Sequence, residues 1–434
     1  MTACAMPLDA ERVISVPAGS ITALQVGGLL RATGIPYATA GRWEMPRLLP
    51  PRRISATRPS RACPQLPVPR LEATLPGAFA GLDFDENCLE LSITSPVDGK
   101  HLPVIVWLHG GSYESGAADM AVFDPSILVA EQQVVVVAVS FRLGLFGWLS
   151  GDERPANLGA FDIIAALRWI ARNIAGFGGD PGRVTLFGQS SGGDLAARLI
   201  IANEAFGLFH RAIIQSAPLA LPLGAGRMRK AMRRAAAGLG RDMPAGQVVQ
   251  RQAQVQRAAR RFGLAGQMPF GPEFGAAPLP AERDMMQRHA FVAPKIPILI
   301  GHARDEAALF LPPSEGRPRK LTEPMRRLAV RALTRRLYAE PARVFAKHHS
   351  DAGGQVARFV IDWGPGRFGA AHLADLPLIF PAADWLGTPL LPPGMTLAGL
   401  VAAGAPLRAL WAGFARDGQV GADVPGIIRV LERS

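Results

Sequence analysis

Cysteine is scarce in this chain, three residues in 434, as is tyrosine, also three, and charged residues make up only 19%. Cys4, Cys63 and Cys88 have no zinc-type spacing, so a structural metal is not expected. Only an oxidising compartment would keep Cys63 and Cys88 bridged, so both read as buried free thiols, with Cys4 near a mobile end. The amino terminus lacks a basic start followed by an apolar core, so no signal peptide is expected and the cytoplasm is the expected location, with secretion left open. No unbroken apolar run is long enough to span a bilayer. Residues 134–139 are too few, and residues 376–407 are broken by Pro377, Pro381, Pro389, Pro392, Pro393 and Pro406 and interrupted by Asp384. A soluble protein with no transmembrane segment is the expectation.

What is abundant is apolar side chains, 49%, with 47 Gly and 38 Pro, the composition of a folded, loop-rich chain. The formal charge of +12 is concentrated in arginine clusters at residues 227–234, 257–261 and 317–336. All three have a helical look and read as solvated faces. No aromatic residues interleave with them as a single-strand stacking surface would need, so no nucleic-acid partner is expected.

Residues 104–108 and 134–139 are continuous apolar runs, and 184–187, 212–214 and 296–300 resemble them. Strands buried on both faces read this way, which points to a parallel sheet covered by helices. Between the second and third runs, Ala160, Ile163, Ile164, Leu167, Ile170, Ala171 and Ile174 fall at helical spacing, and the turn-rich residues 176–182 end that helix. The fold class is therefore α/β, a central mostly parallel sheet flanked by helices. Residues 219–294, rich in Arg, Ala and Gln, read as a helical insertion capping the sheet's loop end. Residues 10–430 read as one catalytic domain.

Gly188-Gln-Ser190-Ser-Gly192 lies between a strand and a helical run, the context in which G-x-S-x-G forms a nucleophile elbow. Side chains at the two flanking positions would collide in so tight a turn, hence glycine at both. An ordinary glycine-rich turn is the bland alternative. His109-Gly110-Gly111-Ser112 follows the strand at 104–108, and small residues there let backbone N–H groups approach a developing oxyanion. A serine nucleophile needs a base. Of eight histidines, His348 and His349 read as a solvated pair in a polar loop, whereas His372 sits between glycine and an apolar run. A core histidine would look the same. The acid should end a strand between Ser190 and the base, and either Asp305 or Glu306 fits.

Together these segments resemble the type B carboxylesterases of the α/β-hydrolase superfamily. The likeness runs through Gly34-Ile-Pro-Tyr-Ala38, Asp85-Glu-Asn-Cys-Leu-Glu-Leu91, Val106-Trp-Leu-His-Gly-Gly111, Ala156-Asn-Leu-Gly-Ala-Phe-Asp162, the serine motif, Arg304-Asp-Glu306 and Gly369-Ala-Ala-His372. It implies an α/β-hydrolase fold with Ser190, Glu306 and His372 as the catalytic set. It also implies oxyanion donors at the N–H groups of Gly111, Ser112 and Ser191, and Ser216 beside the acid. Arg42 and Glu86 match a structural ion pair of that family, and Cys63 and Cys88 match positions bridged in its secreted members. Ser112 stands where a third glycine is usual, Gln189 where Glu is usual, Ser191 and Ala217 where Ala and Gly are usual, and Ala307 where Gly follows the acid. Both residues 219–294 and the whole chain look short for the family.

The expected activity is hydrolysis of a small carboxylic ester through an acyl-enzyme, needing no cofactor or metal, with short- to medium-chain neutral esters as substrates. Seven Trp, three Tyr and a positive net charge speak against a quaternary-ammonium substrate. The alternatives are a non-catalytic scaffold or adhesion protein on the same fold, and a hydrolase of amides, carbamates or thioesters.

Overall fold

The structure is a computed structural model and describes residues 8–311 and 322–433. Cys4 and the basic residues Arg317, Arg319 and Lys320 lie outside the described residues. Among the described residues, the main path of the large sheet has eleven strands, β1 (Leu8–Val16), β2 (Gly19–Val26), β3 (Leu29–Pro36), β4 (Glu90–Pro96), β5 (Leu102–Leu108), β6 (Val135–Val139), β7 (Gly179–Gln189), β8 (Arg211–Gln215), β9 (Ile298–Ala303), β10 (Val356–Ile361) and β11 (Ile428–Arg433). In space their order is β1-β2-β3-β4-β6-β5-β7-β8-β9-β10-β11, and the short strand Arg52–Ser55 pairs beside β2. The strands from β6 to β10 run parallel, while β1–β4 and β11 pair antiparallel at the two ends.

The sheet divides the core into two apolar layers, and strand alternation decides which residue joins which. Val104, Val106, Leu186 and Ile214 point to one layer, with Ile163 and Ile170 of the helix Leu158–Asn173. Ile105, Trp107, Phe187 and Ile213 point to the other, with Phe380 and Trp411. Both faces being covered explains why the central strands lack polar alternation. Three edges of aromatic packing, Trp107–Phe187 at 4.7 Å, Trp107–Phe380 at 4.9 Å and Phe359–Trp411 at 5.2 Å, lock the second layer.

Three expectations need correction, the third being the buried Arg229 described below. Pro406 does not break the chain's last apolar stretch, because the helix Leu397–Asp417 runs through it. A proline removes one backbone donor from a helix, and here the buried Arg408 donates back to a carbonyl of the same helix and ties that helix to its neighbours. It donates to Val401 O at 2.6 Å and Leu378 O at 2.6 Å, and pairs with Glu131 at 2.7 Å. That helix is also long and apolar enough to cross a membrane, but it packs its buried face, with Trp411 and Phe414, against the sheet. The second correction concerns His349. It is fully buried in the helix Glu340–Asp351, 2.9 Å from His289 and 2.9 Å from Ile296 O, so it is not one of a solvated pair. Its polar neighbours in sequence fall on other faces of the helix, and burial pushes its pKa down to about 4.

Within residues 219–294 lie the helices Gly226–Ala235, Ala245–Arg260 and Met285–Val292. Arg227, Lys230 and Arg234 are exposed as the pattern implied, but Arg229 is buried and donates to Pro272 O at 2.5 Å. Gln252 accepts from Leu145 N at 3.2 Å, and Glu273 accepts from Ser150 N at 2.7 Å, tying the segment to the loop region before Leu158.

Candidate active site

β7 delivers the chain to Ser190, which turns sharply with φ 58° and ψ −125°, and the helix Ser191–Ile200 begins at the next residue. A non-glycine residue in this region costs roughly 1–3 kcal/mol and persists only where the surroundings over-determine it. Here they do. A Cβ on Gly188 would lie 2.0 Å from Gly192 O, and one on Gly192 would lie 2.0 Å from Leu108 O. The glycines therefore let β5, the turn and the helix close on one another, and Ser190 N donates to Gln215 O at 2.9 Å.

The loop after β5 approaches the same turn. Gly111, Ser112 and Tyr113 have φ of 116°, 58° and 62°, a run of left-handed conformations with glycine at only the first. Gly111 O accepts from both Glu114 N and Ser115 N at 3.0 Å. Among the described residues no hydrogen bond uses the N–H of Gly111 or Ser112, and Ser191, first in its helix, has no intrahelical acceptor for its own. The Ser191 N–H sits at the positive end of its helix, where an anion is favoured, and Tyr113 N donating to Ser191 Oγ at 3.3 Å ties the loop to that end. Tyr113 Oη donates to Asp194 at 2.7 Å, and Asp194 pairs with Arg198 at 2.7 Å, all buried.

Across from the elbow, β9 ends in a turn that carries Glu306, and His372 follows Gly369 on a loop after β10. His372 Nδ1 lies 2.5 Å from Glu306 Oε2, with Glu306 fully buried and His372 4% exposed. Glu306 Oε1 accepts from Ala303 N at 2.7 Å. Burial works to raise the Glu306 pKa, but the charge and hydrogen bond of His372, then the Ser216 hydroxyl and the Ala303 N–H, outweigh it and hold the carboxyl below its ordinary value. The Ser216 hydroxyl is buried near the acid without meeting hydrogen-bond geometry. Asp305, the other candidate acid, pairs with Arg304 at 3.1 Å towards the surface instead. The two carboxylates that looked equivalent in sequence thus have different surroundings.

With Nδ1–H directed at Glu306, His372 Nε2 is an acceptor, and Gln189 Nε2 lies 3.3 Å from it. Ser190 Oγ is not hydrogen-bonded to His372 in this structure, a separation common before substrate tightens a site. Phe310 and Tyr338 flank the imidazole with ring centroids at 5.4 Å and 5.5 Å. Tyr338 lies in the π-helical stretch Arg335–Ala339, and burial followed by the Glu306 charge raises its pKa well above the usual phenol value.

Sequence reasoning missed Asp375, Gln215 and Tyr338. Asp375 is fully buried, and desolvation together with the nearby Glu306 charge pushes its pKa up to about 7. Gln215 Nε2 donates to it. Its position three residues after His372 was the only signal available. Nothing in the sequence singles out Tyr338. Two further expectations concern other residues. Arg42 is paired with Glu86, its Nε donating at 2.8 Å, and Cys63 and Cys88 are free and buried.

A parallel-centred sheet with a serine elbow after one strand, and an acid and a histidine on loops after later strands, defines an α/β-hydrolase. Residues 31–369 match the model of the carboxylesterase family, and the chain belongs to that family. It is 35% identical over 430 residues to the Rhodococcus erythropolis protein named "Probable N-octanoylanthranilate hydrolase AqdA2", covering 94% of both chains. It is 30% identical to the para-nitrobenzyl esterase of Bacillus subtilis, over 87% of this chain and 84% of that one. Among solved structures, a thermophilic para-nitrobenzyl esterase superposes with a TM-score of 0.81 at 26% identity, covering 96% of this chain and 93% of the other. The type B carboxylesterase resemblance and the α/β-hydrolase fold are therefore borne out, and the protein is a carboxylic ester hydrolase. The scaffold alternative is not favoured.

Proposed function

We propose that Ser190, His372 and Glu306 perform acyl transfer from a small ester. His372 Nε2 takes the Ser190 Oγ proton as Oγ bonds to the ester carbonyl carbon, and Gln189 gives up its contact with that nitrogen. The N–H groups of Gly111, Ser112 and Ser191 hold the oxyanion, and Glu306 holds the imidazole's tautomer and its charged form. The alcohol leaves with the proton from His372, and water repeats both stages on the acyl-enzyme. Ser216 supports the acid. The buried 2.5 Å contact between Glu306 and His372 carries this reading, with the strained serine turn beside it.

Short- to medium-chain neutral esters are the proposed substrates. Residues 10–430 act as one catalytic domain with residues 219–294 as its cap, and free thiols at Cys63 and Cys88 suit the cytoplasm. Ser190→Ala is expected to abolish p-nitrophenyl butyrate hydrolysis and fluorophosphonate labelling, and full activity in that variant would end the proposal.

Amide cleavage is a second reading, favoured by the relative named for N-octanoylanthranilate, an aromatic amide bearing a carboxylate. The exposed Arg70 lies 5.2 Å over the Phe310 ring, which itself flanks His372, so a cation stands one ring away from the base. Hydrolysis of acyl anilides with and without an ortho carboxylate separates the two readings. A preference for the carboxylate that Arg70→Ala removes supports the second.

A further inference from the structure

We propose that the side-chain hydroxyl of Ser191 is a positioning group for the oxyanion loop, compensating for Ser112. This rests on the assignment of the Gly111 and Ser112 N–H groups as oxyanion donors. Ser191 is buried, and its Oγ accepts from Tyr113 N at 3.3 Å, a bond across 78 residues of chain. The other end of Tyr113 is anchored by its hydroxyl to Asp194 at 2.7 Å, which Arg198 holds at 2.7 Å. Both anchors belong to the helix Ser191–Ile200, which starts directly after Ser190. Tyr113 is thus pinned at its backbone and at its tip to the element that presents the nucleophile.

The loop needs such a pin because two consecutive side-chain-bearing residues, Ser112 and Tyr113, sit at φ of 58° and 62°. L-residues resist that conformation and keep it only where neighbours leave no alternative. Glycine at residue 112 would hold it without strain. Alanine at residue 191 would offer the Tyr113 N–H no acceptor. The two departures from the family's usual residues, Ser112 and Ser191, therefore form a matched pair: one strains the loop and the other holds it. Donor placement affects the transition state more than the bound ester, so the consequence falls on kcat.

The test is a double-mutant cycle with p-nitrophenyl butyrate, with thermal unfolding to confirm that each variant is folded. Ser191→Ala is expected to lower kcat about tenfold with KM within twofold of the parent, because displacement of a donor costs less than its loss. A trifluoromethyl ketone, whose hydrate mimics the tetrahedral oxyanion, should bind about tenfold more weakly to the same variant, a readout that needs no turnover. In the Ser112→Gly background, Ser191→Ala should cost less than about threefold in both measurements, since with only Tyr113 left strained the loop leans less on the pin. If Ser191→Ala fails to fold, Ser191→Cys takes its place in the cycle, its thiol being a weaker acceptor of the same size class. Equal losses in both backgrounds, or none in either, overturn the pairing. An active Ser190→Ala variant would instead remove the site reading itself, whereas an inactive Ser190→Ala beside a fully active Ser191→Ala removes only the role given to Ser191.

Discussion

The two halves of the site are built by different means. The serine half, from β5 through the helix Ser191–Ile200, is set by backbone packing. Glycines at 188 and 192 let main chains approach where a single Cβ would come within 2.0 Å of a carbonyl oxygen. The acid–histidine half, on loops after β9 and β10, is set by side chains. Glu306 holds His372, the Ala303 N–H holds Glu306, and Gln215 holds the neighbouring Asp375. Steric exclusion of this kind works through residue type at fixed spacing, and so leaves a compact motif. A polar network works through distance between residues far apart in the chain, and so leaves almost none.

That contrast makes Glu306 the most sensitive point of the second half. Glu306→Gln keeps the shape but loses the charge that orients and stabilises the protonated imidazole, and kcat should fall about 10⁴-fold with the fold intact. A loss below about tenfold, measured with p-nitrophenyl butyrate, would show that another group orients His372. The first half should instead respond in stability. Gly192→Ala places a methyl against Leu108 O and should destabilise the protein by about 3 kcal/mol or more. Gly246→Ala, in a helix with open space around it, should change urea-denaturation stability by less than about 1 kcal/mol. Similar costs at the two glycines would erase the distinction drawn between tight and open backbone.

The last expected effect is electrostatic and appears only as a dependence on pH. The Asp375 pKa, at about 7 in the folded protein, lies above its ordinary value, so the folded state holds the proton more tightly than the unfolded chain. The stability this contributes is complete below the ordinary carboxylate range and is lost as pH rises towards and through about 7. Asp375→Asn removes that loss. The variant's stability relative to the parent should therefore grow between pH 4 and 8, by roughly 3 kcal/mol or less. Parallel stability curves for the two proteins would rule out a buried, displaced titration at Asp375. The Glu306 shift has the opposite sign: its contribution is present above the ordinary carboxylate value and is lost as pH falls through its depressed folded value.

Much of the architecture was legible because it follows from local periodicity. The all-buried run Val135–Val139 and the amphipathic helix Leu158–Asn173 state their burial in the order of their residues. The serine turn was legible for the same reason. Pro406 and His349 were misread because a proline and two adjacent polar histidines are judged locally, whereas Arg408 and His289, which stabilise them, come from elsewhere on the helix or in the fold. Tyr338 and Asp375 were not legible, since a tyrosine in a helix and an aspartate near a histidine are ordinary until they meet Glu306.

By itself, the amino-acid order determined the layered α/β sheet, the glycine-framed serine between strand and helix, and the short set of residues from which acid and base were drawn. Those properties depend on hydrophobic period and on steric limits within a few residues. Residue pattern alone left Glu306 and Asp305 equivalent, and only the family resemblance and the folded arrangement separated them; the fold alone gathered Asp375, Tyr338 and Gln189 around the histidine and its acid. It also brought the Ser191 hydroxyl to the Tyr113 N–H. Such choices turn on hydrogen-bond distances and desolvation between segments brought together by the sheet, and a linear pattern carries neither.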